Sequence, residues 1–302
     1  MSSAVVFAYH NVGVRCLKVL LAQGVDIKLV VTHEDNPAEQ IWFASVRELC
    51  REYGIPFITP DDPNVPEVQA QVAALDADFL FSFYYRHMLK GPLLAAAKKG
   101  AFNMHGSLLP KYRGRVPVNW AVLHGEHETG ATLHVMNLMP DNGALVDQQA
   151  VPILPDDTAH DVFAKVTVAA EICLNRVLPA LLAGTACFKP QDLSQGAYFG
   201  RRSAADGRID WLQTAQQIHN LVRAVSRPFP GAFADTPHGR LLLWRTRVID
   251  QDRHEGMQGK MHYQQGFHYI YPLGGGCLQV LEAELDGQPL PQSDLFFLEN
   301  KQ

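Results

Sequence analysis

The sequence predicts an α/β protein: a doubly wound, Rossmann-like parallel sheet followed by a smaller C-terminal β-rich domain. Three observations predict it. Short apolar runs alternate with helical patterns from Val5 to Leu182, as in repeated β-α-β units. The first of these, Val5–Tyr9, is a short continuous apolar run, as a parallel strand buried on both faces is. After about residue 205 the pattern changes to short strands parted by Gly-rich turns. The expected division is therefore 1–204 and 205–302.

Taken in order, Val5–Tyr9 is a buried strand. A helix follows, with Val14, Leu17, Leu20 and Leu21 on one face and Gly24 as its stop. Ile27–Thr32 is the next strand. His33–Gln40 is a polar loop carrying Glu34, Asp35 and Glu39, and a helix is expected over Ile41–Tyr53 with Gly54 just past its end. Pro56–Thr59 is a strand, and a helix after the Pro63–Pro66 loop leads to Leu75. Phe79–Phe83 is a strand, Gly91–Lys99 a helix ended by Gly100, and Phe102–His105 the central strand. Pro117–Leu123 reads as one or two helical turns. Ala131–Asn137 is a strand leading into the tight loop Leu138–Gly143, and Leu145–Ile153 is a further strand. Asp157–Leu182 is the longest helical pattern, and 188–205 is a connector. Beyond it come a helix holding Ile218, Leu221, Val222 and Val225, and strands at Leu241–Trp244, His268–Tyr271 and Leu278–Leu281. The last residues, including Glu299–Gln302, are expected to be disordered.

Composition narrows the function. The chain has 302 residues, 47% hydrophobic and 19% charged, an ordinary globular balance. A net charge of −5 and a pI of about 6.2 argue against a nucleic-acid partner, because phosphates must be neutralised. The five cysteines are widely spaced and form no CxxC, so reduced thiols are expected rather than disulfides or zinc. The first strand is not followed by GxGxxG, since only Gly13 is available there, so no dinucleotide is inferred. His10, His33, His124 and His134 show no metal spacing; they are read as structural or surface residues, and no metal is expected. The N-terminus lacks the basic and apolar regions of a secretory signal, and no apolar run is read as long enough to cross a bilayer. A cytoplasmic protein without a membrane partner is the expectation.

The chemistry concentrates in 102–119, FNMHGSLLPKYRGRVPVN. Asn103 and His105 are two apart on a strand, so they share a face. The strand breaks at Gly106 into a polar, basic loop, and the carboxyl end of a strand is where open α/β sheets bind ligands. The string NxHGSLLPKYRGR resembles the formyltransferases that use 10-formyltetrahydrofolate. Within that family it is most similar to the formyltransferase domains of the bifunctional polymyxin-resistance proteins, which act on UDP-4-amino-4-deoxy-L-arabinose. FSFYYRH at Phe81–His87 and FGRR at Phe199–Arg202 share the resemblance, which covers about residues 4–250. It implies an OB-like barrel for the C-terminal domain.

The resemblance also implies roles. Formyl transfer needs a donor for an oxyanion, a base for the attacking amine, and a group that tunes the base. Asn103 matches the donor, His105 the base, and Asp141 the carboxylate that favours the imidazolium and orients the ring. Read without the family pattern, Asp141 is a turn residue, His105 a satisfied histidine and Asn103 a strand-end polar group; the match carries the assignment. The folate is expected at His87, Met88 and Leu89, at Asn137, Leu138, Met139 and Pro140, and at Arg115, while Phe83 and Tyr84 are read as core. Arg113, Arg201 and Arg202 are candidates for the sugar nucleotide's phosphates, or are solubilising surface arginines.

Three alternatives stay open. One is another UDP- or dTDP-linked amino sugar as acceptor. The second is methionyl-tRNA, disfavoured by the acidic loop His33–Gln40, where a basic grip is expected. The third is a non-catalytic folate binder, which has no need of Asn103, His105 and Asp141 together. The bifunctional relatives continue into a decarboxylating dehydrogenase domain; here the second activity is expected to be absent or to come from another polypeptide.

Overall fold

The computed structural model describes residues 1–296. The elements, in chain order, begin with β1 (Ser3–Ala8), α1 (His10–Ala22), β2 (Asp26–Val31), α2 (Val46–Tyr53) and β3 (Phe57–Ile58). Next come α3 (Pro66–Ala74), β4 (Phe79–Phe83), α4 (Gly91–Leu94), β5 (Ala101–His105) and β6 (Arg113–Gly114). Then follow α5 (Pro117–Leu123), β7 (Glu128–Val135), β8 (Leu145–Pro152), α6 (Ala159–Ala183) and β9 (Tyr198–Phe199). The rest is α7 (Ala215–Val225), β10 (Ala232–Thr236), β11 (Gly239–Asp250), β12 (Lys260–Gln264), β13 (Phe267–Tyr271), β14 (Cys277–Leu285), β15 (Gln288–Pro289) and β16 (Leu295–Phe296).

The chain divides into two compact units. The first comprises Met1–Pro117, Glu128–Pro152 and Phe163–Gly200; the second comprises Val118–His127, Ile153–Val162 and the chain from Arg201 onward. The first unit is built on a seven-stranded sheet in the order β3-β2-β1-β4-β5-β7-β8. Strands β3 to β5 are mutually parallel, and β7 and β8 add an antiparallel edge. The parallel strands are largely apolar on both sides because both faces are covered. Val5, Phe7, Leu29, Val31 and Leu80 share a cluster with Val68 and Val72 of α3 and Leu93 of α4. The rings of Phe79, Phe81 and Phe83 stack along the other side of β4, with Phe102 beside them. Ala101 belongs to the α3/α4 cluster, so by strand alternation Asn103 and His105 face that way too.

Among the elements that differ from expectation, three do so for an identifiable local reason. Helix α2 starts at Val46 rather than Ile41. Trp42 and Phe43 instead pack around His10, with Phe43 stacked at 3.9 Å, and the Ser45 hydroxyl caps the helix by accepting the Glu48 N–H. Helix α4 ends at Leu94, because the backbone beyond it peels away; the N–H groups of Lys98 and Lys99 donate to the carbonyls of Ala77 and Asp78. Strand β11 runs for twelve residues, not four; register shifts near Leu243, Arg245 and Val248 break the alternation by which a strand of that length is recognised. Helix α6 is, by length and composition, apolar enough to cross a membrane, against expectation. In this fold Val166, Ala169, Ala170, Cys173, Leu174 and Leu178 are buried inside the protein. All five cysteines are free, four of them buried.

The second unit carries an antiparallel sheet in the order β10-β11-β14-β13-β12-β16, with β15 pairing off β14. Helix α7 packs on it, started by a Thr214–Gln217 capping box. The expectation for Glu299–Gln302 lies outside the described residues.

Candidate active site

Strand β5 delivers Asn103 and His105 to the carboxyl end of the parallel strands, beside the switch between β1 and β4 where chain order reverses. Gly106 follows at once, and a side chain is excluded there: a Cβ would lie 2.0 Å from the Tyr84 hydroxyl. The antiparallel edge supplies the remaining groups. Asn103 pairs with His134 and His105 with Thr132 across β5 and β7, so the side chains of these pairs share one face. The chain leaves β7 and turns at Asp141, itself in a left-handed conformation (φ 55°). That turn returns the Asp141 carboxylate to the end of β5.

His105 Nδ1 lies 3.5 Å from Asp141 Oδ1, and His134 Nε2 lies 3.5 Å from the same oxygen. Asp141 Oδ2 accepts the Gly114 N–H at 2.8 Å. Burial of Asp141 by itself raises its pKa. The facing imidazoles of His105 and His134, and the Gly114 N–H, overcome this and hold the carboxyl well below the usual carboxylate range. Asp141 is therefore a fixed anion at working pH.

The ring protons follow from the acceptors. His105 Nε2 is 2.8 Å from the Tyr112 carbonyl, which can only accept, so Nε2 carries a hydrogen and Nδ1 is the nitrogen with a lone pair in the neutral ring. His134 Nδ1 likewise donates to the Val135 carbonyl at 2.9 Å. Its Nε2 accepts from Asn103 Nδ2 at 3.1 Å. One N–H of the Asn103 amide is thereby anchored and the other is left to donate elsewhere. His134 is the site residue that sequence reasoning missed. It is buried, not peripheral, and the signal was its place on an antiparallel neighbour of the central strand.

The other candidates divide. Met88, Leu138 and Met139 are large apolar side chains left exposed, and His87 is exposed beside them in sequence. The two segments approach each other: a Cβ at Gly91 would lie 3.9 Å from Leu138. Asn137 accepts the Met139 N–H, which shapes the turn before Pro140. Leu89 instead points into the α3/α4 cluster, so only its backbone is available to a ligand. Phe83 is fully buried and Tyr84 half-buried. Arg115 donates its N–H to the Phe199 carbonyl. Arg113 braces the loop, its guanidinium donating to Asn142 Oδ1 and the Gly196 carbonyl, and a phosphate would have to displace these partners. In the second unit, Arg202 lies over the Trp120 ring at 4.8 Å and donates to the Asp206 carbonyl, while Arg201 is exposed.

An Asn–His–Asp constellation at the carboxyl end of an open α/β sheet brings together a neutral amide, an imidazole and a fixed anion, the kinds of group that acyl transfer calls on. Comparison with known proteins is specific. The formyl transferase profile matches residues 13–178, more than half of the chain, and the formyl transferase C-terminal domain profile matches residues 202–297. The chain belongs to the formyl transferase family. Solved structures share the fold. One is an N-formyltransferase from Helicobacter canadensis, in complex with folinic acid and dTDP-3-aminofucose. It is 20% identical with a TM-score of 0.71, over 93% of this chain and 99% of that one. WlaRD, a sugar 3N-formyl transferase, is 19% identical with a TM-score of 0.72, over 93% and 97%. A 4-N formyltransferase from Francisella tularensis is 19% identical with a TM-score of 0.64, over 78% and 93%.

Proposed function

We propose that this enzyme transfers a formyl group from 10-formyltetrahydrofolate to the amine of a nucleotide-linked amino sugar, with UDP-4-amino-4-deoxy-L-arabinose as the favoured acceptor. The observation that carries it is the convergence of Asn103, His105 and Asp141 at one strand end in a chain of the formyl transferase family. The solved structures named above include two described with a folate and a dTDP species, which supports the same pair of ligand classes here. The exposed apolar Met88, Leu138 and Met139 beside irregular backbone suit a flat, polar-edged pterin. Bound there, the folate supplies a formyl group activated on N10.

The residues then divide the work. Asn103 donates its unanchored N–H to the formyl oxygen as negative charge develops on it. As the amine forms its bond to the formyl carbon, His105 Nδ1 takes the amine proton. That proton arrives between the ring and the Asp141 carboxylate, so the new cation faces an existing anion. His105 then returns the proton to N10 as the bond from the formyl carbon to N10 breaks. His134 holds the Asn103 amide in place. Arg201 and Arg202 are proposed for the diphosphate, and residues 1–204 for the catalytic domain of a cytoplasmic enzyme.

The acidic loop favours a sugar over a tRNA acceptor. Glu34 pairs with Arg47, Glu39 with Arg86, and Asp35 accepts from the Tyr9 hydroxyl, so the loop offers phosphates no surplus cation. The test is formylation of UDP- and dTDP-linked amino sugars and of methionyl-tRNA with 10-formyltetrahydrofolate. UDP-4-amino-4-deoxy-L-arabinose should give the highest kcat/KM, and a preference for the tRNA would overturn the sugar assignment.

A further inference from the structure

We propose that Phe199 is a positioning residue: its ring braces Tyr112, whose carbonyl holds the Nε2–H of His105 and so keeps Nδ1 as the proton-accepting nitrogen. This rests on His105 being the base, as set out above. Tyr112 has a left-handed backbone (φ 55°), which a bulky residue keeps only when its surroundings impose it. Its buried ring stacks on Phe199 with centroids 5.0 Å apart and planes 26° from parallel. On its carboxyl side, β6 pairs in parallel with β9. The Arg113 N–H donates to the Ala197 carbonyl at 3.1 Å and the Arg115 N–H to the Phe199 carbonyl at 2.9 Å. Gly114, between them, has φ 98°, and a Cβ there would lie 2.3 Å from the Phe199 carbonyl oxygen. Loop and strand are in direct contact.

This one pairing aims a group at each member of the proton-handling pair. The Tyr112 carbonyl lies 2.8 Å from His105 Nε2, and the Gly114 N–H lies 2.8 Å from Asp141 Oδ2. A neutral His105 has one ring hydrogen and two acceptors competing for it, the Tyr112 carbonyl at Nε2 and the Asp141 carboxylate at Nδ1. The place of the Tyr112 carbonyl therefore decides which nitrogen is the base. Phe199 is half-buried and its side chain has no polar atom, so truncating it removes the brace and no proton donor or acceptor.

The test uses the full-length protein with 15N-labelled histidine, as wild type, Phe199→Ala and Phe199→Tyr, with His105→Gln to assign the His105 signals. At a pH where the ring is neutral, wild type should show the Nε2–H tautomer and Phe199→Ala a shift towards Nδ1–H. In kinetics, Phe199→Ala should lower kcat about tenfold to a hundredfold, as misplacement of a reacting group does. Both KM values should stay within about threefold, since a group outside the substrate contacts leaves binding alone. Phe199→Tyr, which keeps the ring, should restore the Nε2–H signal and most of kcat. An unchanged tautomer in Phe199→Ala overturns the proposal, and so does a rise in sugar KM at constant kcat, which would make Phe199 a substrate contact. If wild type formylates no amino sugar, the proposed function fails, while the tautomer comparison still decides the positioning role.

Discussion

Asp141→Asn keeps the shape of the side chain and removes its charge. The carboxylate is 12% exposed, with Oδ1 3.5 Å from both His105 Nδ1 and His134 Nε2 and Oδ2 bonded to the Gly114 N–H. An asparagine oxygen can still accept from Gly114, but its NH₂ then faces the two rings. Opposite unit charges at this separation interact by about 5 kcal/mol at an effective dielectric of 20. In the proposed mechanism the chemical step gains only what appears when His105 takes the proton, and relaxation around His134 returns part of it. A loss of about 3–4 kcal/mol remains, or roughly 10²–10³-fold in kcat. Both KM values should change little, because Asp141 acts through His105. The variant also carries a stability signature. The Asp141 pKa is depressed in the folded state, so its contribution is present above the ordinary carboxylate range and lost as pH falls through the depressed value. Asp141→Asn should therefore lose less stability than wild type on acidification below about pH 4. The assay is steady-state formylation at saturating substrates, with product separated by chromatography. A variant within about threefold of wild-type kcat would show that His105 needs no counter-charge.

His105→Ala and Asn103→Ala should each lower kcat by about a hundredfold or more with far-UV circular dichroism unchanged, and retention of most of the activity would remove that residue from the chemistry. Gly106→Ala should cost about 1–3 kcal/mol of stability, because the new Cβ would meet the Tyr84 hydroxyl at 2.0 Å. Adding Tyr84→Phe should recover a large part of that loss in chemical denaturation, since the hydroxyl is the nearest atom and makes no hydrogen bond. His33 is pushed down to about 4, by burial first and then by His87 and Arg86, and its Nε2 accepts the Arg86 N–H. The unfolded chain takes that proton first, so this stability is present at pH 7 and lost as pH falls from about 6.5 through about 4. After discounting for the ring's partial exposure it amounts to about 1–2 kcal/mol. A His33→Asn variant should show a shallower fall in urea midpoint over that window than wild type, and equal slopes would exclude His33 as the source.

Much of this protein is legible in its sequence, because strand and helix periods and glycine stops are local properties. Gly54 ends α2 and Gly24 follows α1, both with positive φ, where the sequence places them. The pairing of Asn103 and His105 on one face needs only the two-residue period of a strand. The NxHGSLLPKYRGR string resembles the family that the match over residues 13–178 shows. Failures lie where local pattern yields to tertiary demand. Trp42 and Phe43 look like the face of a helix, yet the aromatic cluster around His10 claims them and α2 starts later. The bulges of β11 erase the alternation that would have marked its length.

The sequence by itself determined the strand that carries Asn103 and His105, the turn that carries Asp141, and the change of style after the connector. Only the tertiary structure decided that β7 runs antiparallel beside β5, which puts His134 between Asn103 and Asp141. It alone decided that Phe199 stacks on Tyr112, more than eighty residues away in the chain, and that the Tyr112 carbonyl meets His105. The physical reason is range. A strand or turn is set by neighbours a few residues apart, whereas a ring stack or a shared carboxylate depends on how distant segments cross.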